Sequence, residues 1–377
     1  MVSFTYKTAA IIAAAVIAVA AAAVYIAADS DDEDGGPGTI TVTDVRGRSV
    51  AVPEDVDKVV TLSAGSARLV SYFGQDAVDK IVGIDSYDAK NKAFPANYYK
   101  ATYRIAYDVE SKTDVGSEES TKAIMETGAD VIITSMTDVD NANTLQSTTG
   151  IAVVCVDADG SIDVNDDRFK KDVTLVGKVL GMESRASELI SGIDQAVAEL
   201  AGYNESSTAS PNCYIGGMFY FMKGGLYETT GNYLPFDLVG AENAMPDSNS
   251  GNPYQTDKNA VMKAGESNGI EYIFIDAMTA SDSKTAYQTD KTDLASTVSA
   301  AESGEIYSNL VYKYYGTNWE MELINAYYIG SVIDPTVFSY SIEDKVNGIL
   351  ALFFPDSDID YDKVCERQGM TLSKLYW

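Results

Sequence analysis

The chain has 377 residues, enough for two lobes with separate cores, and its 46% hydrophobic and 22% charged residues are ordinary for a folded soluble body. Its formal net charge of −29 argues against nucleic acid, because binding phosphates needs clustered Lys and Arg, and suits a secreted, self-repelling protein. Histidine is absent, which removes Ser-His-Asp and Cys-His catalysis, His-ligated zinc and His-ligated haem.

From Ala9 to Ala28 every residue is apolar apart from Tyr25, about long enough for a helix to cross a hydrocarbon core. Lys7 precedes the run and Asp29-Ser-Asp-Asp-Glu-Asp34 follows it, so the charge bias directs everything after residue 29 outward. Residues 1–28 are therefore expected to be a membrane anchor. The competing reading is a signal segment cleaved near Ala21–Ala23. No cysteine near the run could carry a lipid. Residues 29–38, acidic and ending Gly35-Gly-Pro-Gly38, read as a solvated tether.

Ile40 to Pro53 alternates apolar and polar residues around Arg46-Gly47, which predicts a hairpin. Short apolar strands follow at Lys58–Leu62, Lys80–Ile84, Asp130–Thr134 and Ile151–Val156. A helix is expected at Arg68–Phe73 and another at Ser120–Thr127. Strands alternating with helices predict α/β units around a parallel sheet, whose ligands collect at the carboxyl ends of the strands. Residues 167–203 lack proline and read as helix. Ala186, Leu189, Ile190, Ile193, Val197 and Leu200 form one apolar stripe. The second half repeats the logic, with strands at Asn212–Gly216 and Glu271–Ile275 and a helix at Thr256–Ala264. The expected fold is α/β: two similar lobes with parallel-type central sheets, 39–166 and 204–377, joined by a long bridging helix within 167–203. Cys155, Cys213 and Cys365 show no CxxC spacing, so iron–sulfur clusters and zinc ribbons lack support. Cys155 reads as a buried small hydrophobe, and a Cys213–Cys365 disulfide stays open.

Four stretches, taken together, resemble the substrate-binding proteins that serve ABC importers of iron-siderophores, haem and cobalamin. They are Thr41–Pro53 with Lys58–Leu62; Val115-Gly116 through Thr134; Thr230–Asn243; and Asn318–Gly330 with Asp334-Pro335 and Phe338. The resemblance implies an extracytoplasmic solute receptor whose lobes are joined by a rigid helix, with the ligand in a shallow cleft between them. It implies no catalysis and no intrinsic cofactor. The partners would be an ABC permease, its ATPase and a metal chelate of the ferric-siderophore type, with the protein acting as a monomer. A corrinoid or haem ligand, or a tethered extracellular sensor, are the alternatives.

Placed on this sequence, the cleft loops would present Ser63, Ser66, Arg68, Asp85, Tyr87, Ser135 and Met136 from the first lobe. The second would present Phe219, Tyr220, Met278, Tyr314, Tyr315 and Trp319. Aromatic and thioether side chains give broad contact to a large flat ligand. Trp319 and Tyr315 are expected to anchor the ligand with little effect on stability. Arginine is sparse, with only Arg68 and Arg104 near the first-lobe rim, which favours a neutral or weakly charged chelate or a corrinoid. Family members dock on the permease through a Glu near the start of one helix in each lobe. By that resemblance the matching positions here are Lys122 and Lys258, so either the charges are swapped or the docking groups are Glu118, Glu119 or Asp257.

Overall fold

The computed structural model describes residues 38–89, 101–158, 162–218, 225–246, 252–313 and 316–377. The apolar run and most of the tether lie outside them. Among the described residues no helix is long and apolar enough to cross a membrane. The chain divides into two compact units, the first holding residues 38–89, 112–158 and 165–199 and the second the rest. Residues 101–111 and 162–164, assigned to the first lobe from sequence, group with the second unit.

In the first unit β1 (Thr39–Thr43) and β2 (Ser49–Pro53) pair antiparallel, turned by Gly47 at a φ of +75°. Asp44 holds the turn together. Its Oδ1 accepts the N–H groups of Arg46 and Arg48 at 3.0 Å each, and its Oδ2 accepts the N–H of Cys155 at 3.2 Å. Arg48 pairs with Asp44 at 3.1 Å and donates to the Val153 carbonyl at 3.1 Å. The Asp44, Gly47, Arg48 pattern is thus a clasp that fastens the hairpin to the sheet.

That sheet contains β3 (Val59–Leu62), β4 (Ile81–Asp85), β5 (Asp114–Gly116), β6 (Val131–Thr134) and β7 (Ala152–Cys155) in the order β5-β4-β3-β6-β7. Every neighbouring pair is parallel. β3 and β6 are buried at every residue, which is why they read as largely apolar runs, with Thr61 and Thr134 their polar members. From β3 the chain builds outward through β4 and β5, then returns to place β6 on the other side of β3. The sheet therefore has a topological switch point between β3 and β6.

The segment 167–203, expected to be helical and to include the bridging helix, holds two helices, Asp167–Leu180 and Glu183–Ser206. Gly181, at a φ of +66°, ends the first, and the Met182 N–H returns to the Gly177 carbonyl at 2.7 Å. This is a glycine-terminated helix end, signalled in sequence by Lys178 in the last turn followed by glycine. In the 24-residue second helix Ala186, Leu189, Ile193 and Leu200 are buried, while Ile190 and Val197 are half-buried. Its residues to Glu199 belong to the first unit and those from Leu200 to the second.

The second unit adds β8 (Asn212–Gly216), β9 (Glu228–Thr229), β10 (Glu242–Asn243), β11 (Tyr254–Gln255), β12 (Tyr272–Asp276) and β13 (Ile306–Asn309). A parallel sheet runs β10-β8-β12-β13, with its own switch point between β8 and β12, and β9 pairs with β11 antiparallel. The helix Trp319–Ile333 is buried almost all round. Gly330 lets it pass Phe338, whose ring a Cβ at that position would strike. Cys155, Cys213 and Cys365 are all free buried thiols, so Cys213 and Cys365 form no disulfide.

Candidate ligand-binding site

At the switch point of the first sheet the carboxyl ends of four strands meet around Ser63, the residue after β3. Ser63 is left-handed, with a φ of +63°, a conformation that costs a serine roughly 1–2 kcal/mol and that neighbouring contacts must hold. Its N–H donates to Asp85 Oδ2 at 3.1 Å, and the Tyr87 N–H donates to Asp85 Oδ1 at 2.9 Å. Asp85 ends β4. The Ser63 hydroxyl donates to Glu118, two residues past β5. Ser63 Oγ lies 3.1 Å from the Thr134 hydroxyl at the end of β6, and Thr134 Oγ1 accepts the Met136 N–H at 3.2 Å. Because a carboxylate only accepts, the donors line up in one direction: Met136 N–H to Thr134, Thr134 to Ser63, Ser63 to Glu118. Ser135 Oγ then ties this loop to the Ala64 carbonyl at 3.3 Å.

The edge is therefore built from carboxylates and hydroxyls. Asp85 is 2% exposed. Burial pushes its carboxyl up to about 6, against the pull of the Tyr87 and Ser63 N–H groups, and the charges of Asp88 and Glu118 push the same way. Tyr87 stands outside it, 41% exposed. A groove of about 530 Å³ opens alongside, lined by Glu118, Glu119, Ser135, Met136, Asp138 and Asn141 among others.

In the second unit Asp276, at the end of β12, accepts the Met278 N–H at 2.7 Å and the Tyr312 N–H at 2.9 Å, joining the loops after β12 and β13. Thr279 Oγ1 donates to the Gly217 carbonyl after β8 at 2.7 Å. Behind these loops Glu322 accepts the Val164 N–H at 2.6 Å. Burial, and then the charge of Asp163, hold its carboxyl well above the usual carboxylate range.

Ser63, Asp85, Ser135 and Met136 come together as the sequence reading expects, and Glu118, proposed there for docking, joins them. Ser66 and Arg68 sit on the helix Ser66–Ser71, which is buried at every residue. Arg68 is 3% exposed; Arg104 is 4% exposed, pairs with Glu110 at 3.1 Å and groups with the second unit. Neither supplies an open guanidinium rim. Met278 is buried against Ala277 and Val311. Trp319 has no exposed surface, and its indole N–H donates to the Ile162 carbonyl at 2.9 Å. Such a side chain is core, so the expectation that truncating it leaves stability unchanged gives way. Phe219, Tyr220, Tyr314 and Tyr315 lie outside the described residues. Missed from sequence were Asp163 and Glu322, although two glutamates inside the apolar helix Trp319–Ile333 were a readable signal of buried polar chemistry.

A family model for periplasmic binding proteins matches residues 59–309, more than half of the chain. No curated protein matches. Among solved structures, a periplasmic solute-binding protein from Veillonella parvula is 18% identical, covering 87% of this chain and 96% of its own, with a TM-score of 0.66. A molybdate-binding periplasmic protein from Haemophilus influenzae is 16% identical, with coverages of 85% and 99% and a TM-score of 0.62. CeuE from Helicobacter pylori, with Ni(II) bound, is 15% identical, with coverages of 86% and 98% and a TM-score of 0.58.

The buried Asp85 carboxyl yields a pH signature. It binds its proton more tightly folded than unfolded, so acidification adds stability, beginning as pH falls through about 6 and complete below 3.8. Between about pH 7.5 and 4, Asp85→Asn is expected to lose about 1–3 kcal/mol of this gain. Denaturant melts across that range check it. Parallel stability curves for wild type and variant would refute the assignment.

Proposed function

Because the chain belongs to the periplasmic binding protein family, we propose that it captures a metal chelate of the ferric-siderophore type outside the cytoplasm and delivers it to an ABC permease and its ATPase. Binding proteins of this family are solute receptors that work with ABC permeases. The observation that carries the ligand reading is the convergence of Ser63, Asp85, Glu118 and Thr134 at the switch point of the first sheet. Carboxylates with hydroxyls favour a neutral or positively charged complex and repel a polyanion, and the net charge of −29 acts in the same direction. Molybdate, held by the Haemophilus protein, is an anion and a poor match for such an edge.

A titration panel tests the ligand class: ferrioxamine B (cationic), ferrichrome (neutral), ferric enterobactin (anionic), cyanocobalamin and haemin. Ferrioxamine B or ferrichrome is expected to bind. Removing the Asp85 charge by Asp85→Asn should weaken ferrioxamine B by about tenfold, the equivalent of about 1.4 kcal/mol. Binding confined to ferric enterobactin or haemin contradicts the reading, and binding of cyanocobalamin alone replaces it with a corrinoid receptor.

For the permease contact, the geometry supports Lys122 or Glu119 on the first unit over Lys258. Lys258 is held by Asp290 at 3.1 Å and Asp293 at 2.6 Å, which explains how a lysine is tolerated in the first turn of its helix. Lys122 has a side chain 90% exposed, with Glu126 at 3.8 Å, and Glu119 is exposed, whereas Glu118 is engaged by Ser63. Lys122→Glu or Glu119→Lys should weaken permease association about tenfold at low salt and less at high salt, with chelate affinity unchanged. If neither variant alters association, the contact lies elsewhere.

The run from Ala9 to Ala28 supports a membrane anchor with the body outside. Alkaline-washed membranes should retain the whole chain. Soluble protein beginning near residue 24 or 29 would establish cleavage in its place.

A further inference from the structure

The side chain of Arg46, at the turn between β1 and β2, leaves the hairpin. Its Nε donates to the Met136 carbonyl at 3.1 Å, on the loop after β6. Its Nη1 pairs with the Asp157 carboxylate at 2.7 Å, on the segment after β7. Both segments leave the sheet at the same edge as Ser63 and Asp85. The pair is largely shielded, with side-chain exposures of 19% and 21%.

Each end of this connection is anchored. On the hairpin side Asp44 grips the Arg46 N–H at 3.0 Å, and Arg48 fixes Asp44 and the β7 backbone. On the far side the Asp157 N–H donates to both carboxylate oxygens of Asp172 at 2.9 Å, on the helix Asp167–Leu180. A planar guanidinium can donate to a carbonyl and a carboxylate in two directions at once, and an ammonium on a flexible stem cannot hold that geometry. The loop from Thr134 to Met136 is then fixed from two sides. Ser63 and Ala64 hold Thr134 and Ser135, and Arg46 holds the Met136 carbonyl.

We infer that Arg46 is a positioning residue of the ligand face, setting where Ser135 and Met136 stand without touching the ligand itself. This rests on reading the Ser63–Asp85–Ser135 edge as that face. The N-terminal hairpin thereby becomes part of the binding machinery, a strut that spaces the loops after β6 and β7.

The test is hydrogen exchange on the full chain, with ferrioxamine B titrated in parallel. Arg46→Met removes both contacts. Arg46→Lys keeps an ion pair with Asp157 and loses the directed bond to Met136, and Asp157→Asn does the reverse. Arg46→Met and Arg46→Lys should both speed amide exchange at residues 135–137 by about tenfold, the loss of one hydrogen bond, while β3 and β6 and the unfolding midpoint change little. Asp157→Asn should speed exchange at 157–158 and leave 135–137 nearly as protected as in wild type. Ferrioxamine B affinity should fall several-fold in both Arg46 variants. Wild-type protection of 135–137 in Arg46→Lys overturns the proposal, as does faster exchange spread across the whole first unit. If 135–137 loosen while affinity holds, Arg46 positions the loop but the loop is not the ligand face. If wild type binds no ferrioxamine B, the ligand reading fails, and the exchange results decide Arg46 by themselves.

Discussion

In a parallel sheet all strands end at one edge, so the pairing of β3 with β4 on one side and β6 on the other brings their following loops side by side. The site of the first unit depends on this constraint. Residues as far apart in sequence as Ser63 and Thr134 come within 3.1 Å, because the strands they terminate are hydrogen-bonded neighbours. The second unit repeats the arrangement with fewer strands, and Asp276 there joins the loops after β12 and β13.

Polar groups at a buried edge carry a cost unless they are satisfied, and here the satisfaction is largely internal. Each oxygen of the Asp85 carboxylate accepts a backbone N–H, and the Ser63 hydroxyl relays a hydrogen-bond chain that ends on Glu118. Burial outweighs those bonds and raises the Asp85 carboxyl to about 6. Its charge is therefore held at a cost at neutral pH, and a positively charged guest would offset that cost. A left-handed serine at the centre of this arrangement is the kind of local strain that accompanies binding sites.

Much of this is legible in the sequence because strands buried on both faces of a parallel sheet are largely apolar. The runs at Val59–Leu62 and Val131–Thr134, and the polar residues after them, marked both strands and site loops. The hairpin was readable from its alternation and Gly47, but the reach of Arg46 and Arg48 to residues roughly ninety or more positions away was not, since no local pattern encodes a long-range partner. The absence of proline across 167–203 hides the break at Gly181, although its place after Lys178 marks a helix end. In sequence Trp319 reads as a ligand anchor because aromatic residues suit core and cleft equally. Only its burial and its bond to Ile162 separate the two.

If the strand-end edge takes a metal chelate without net negative charge, as proposed, protein purified natively from its own cells should carry one, and mass spectrometry of the bound small molecule reads this out. The expected result is a metal-bearing chelate that is neutral or cationic, released intact on denaturation. A polyanionic ligand, or protein that carries no small molecule and copurifies only with a protein partner, would overturn the proposal.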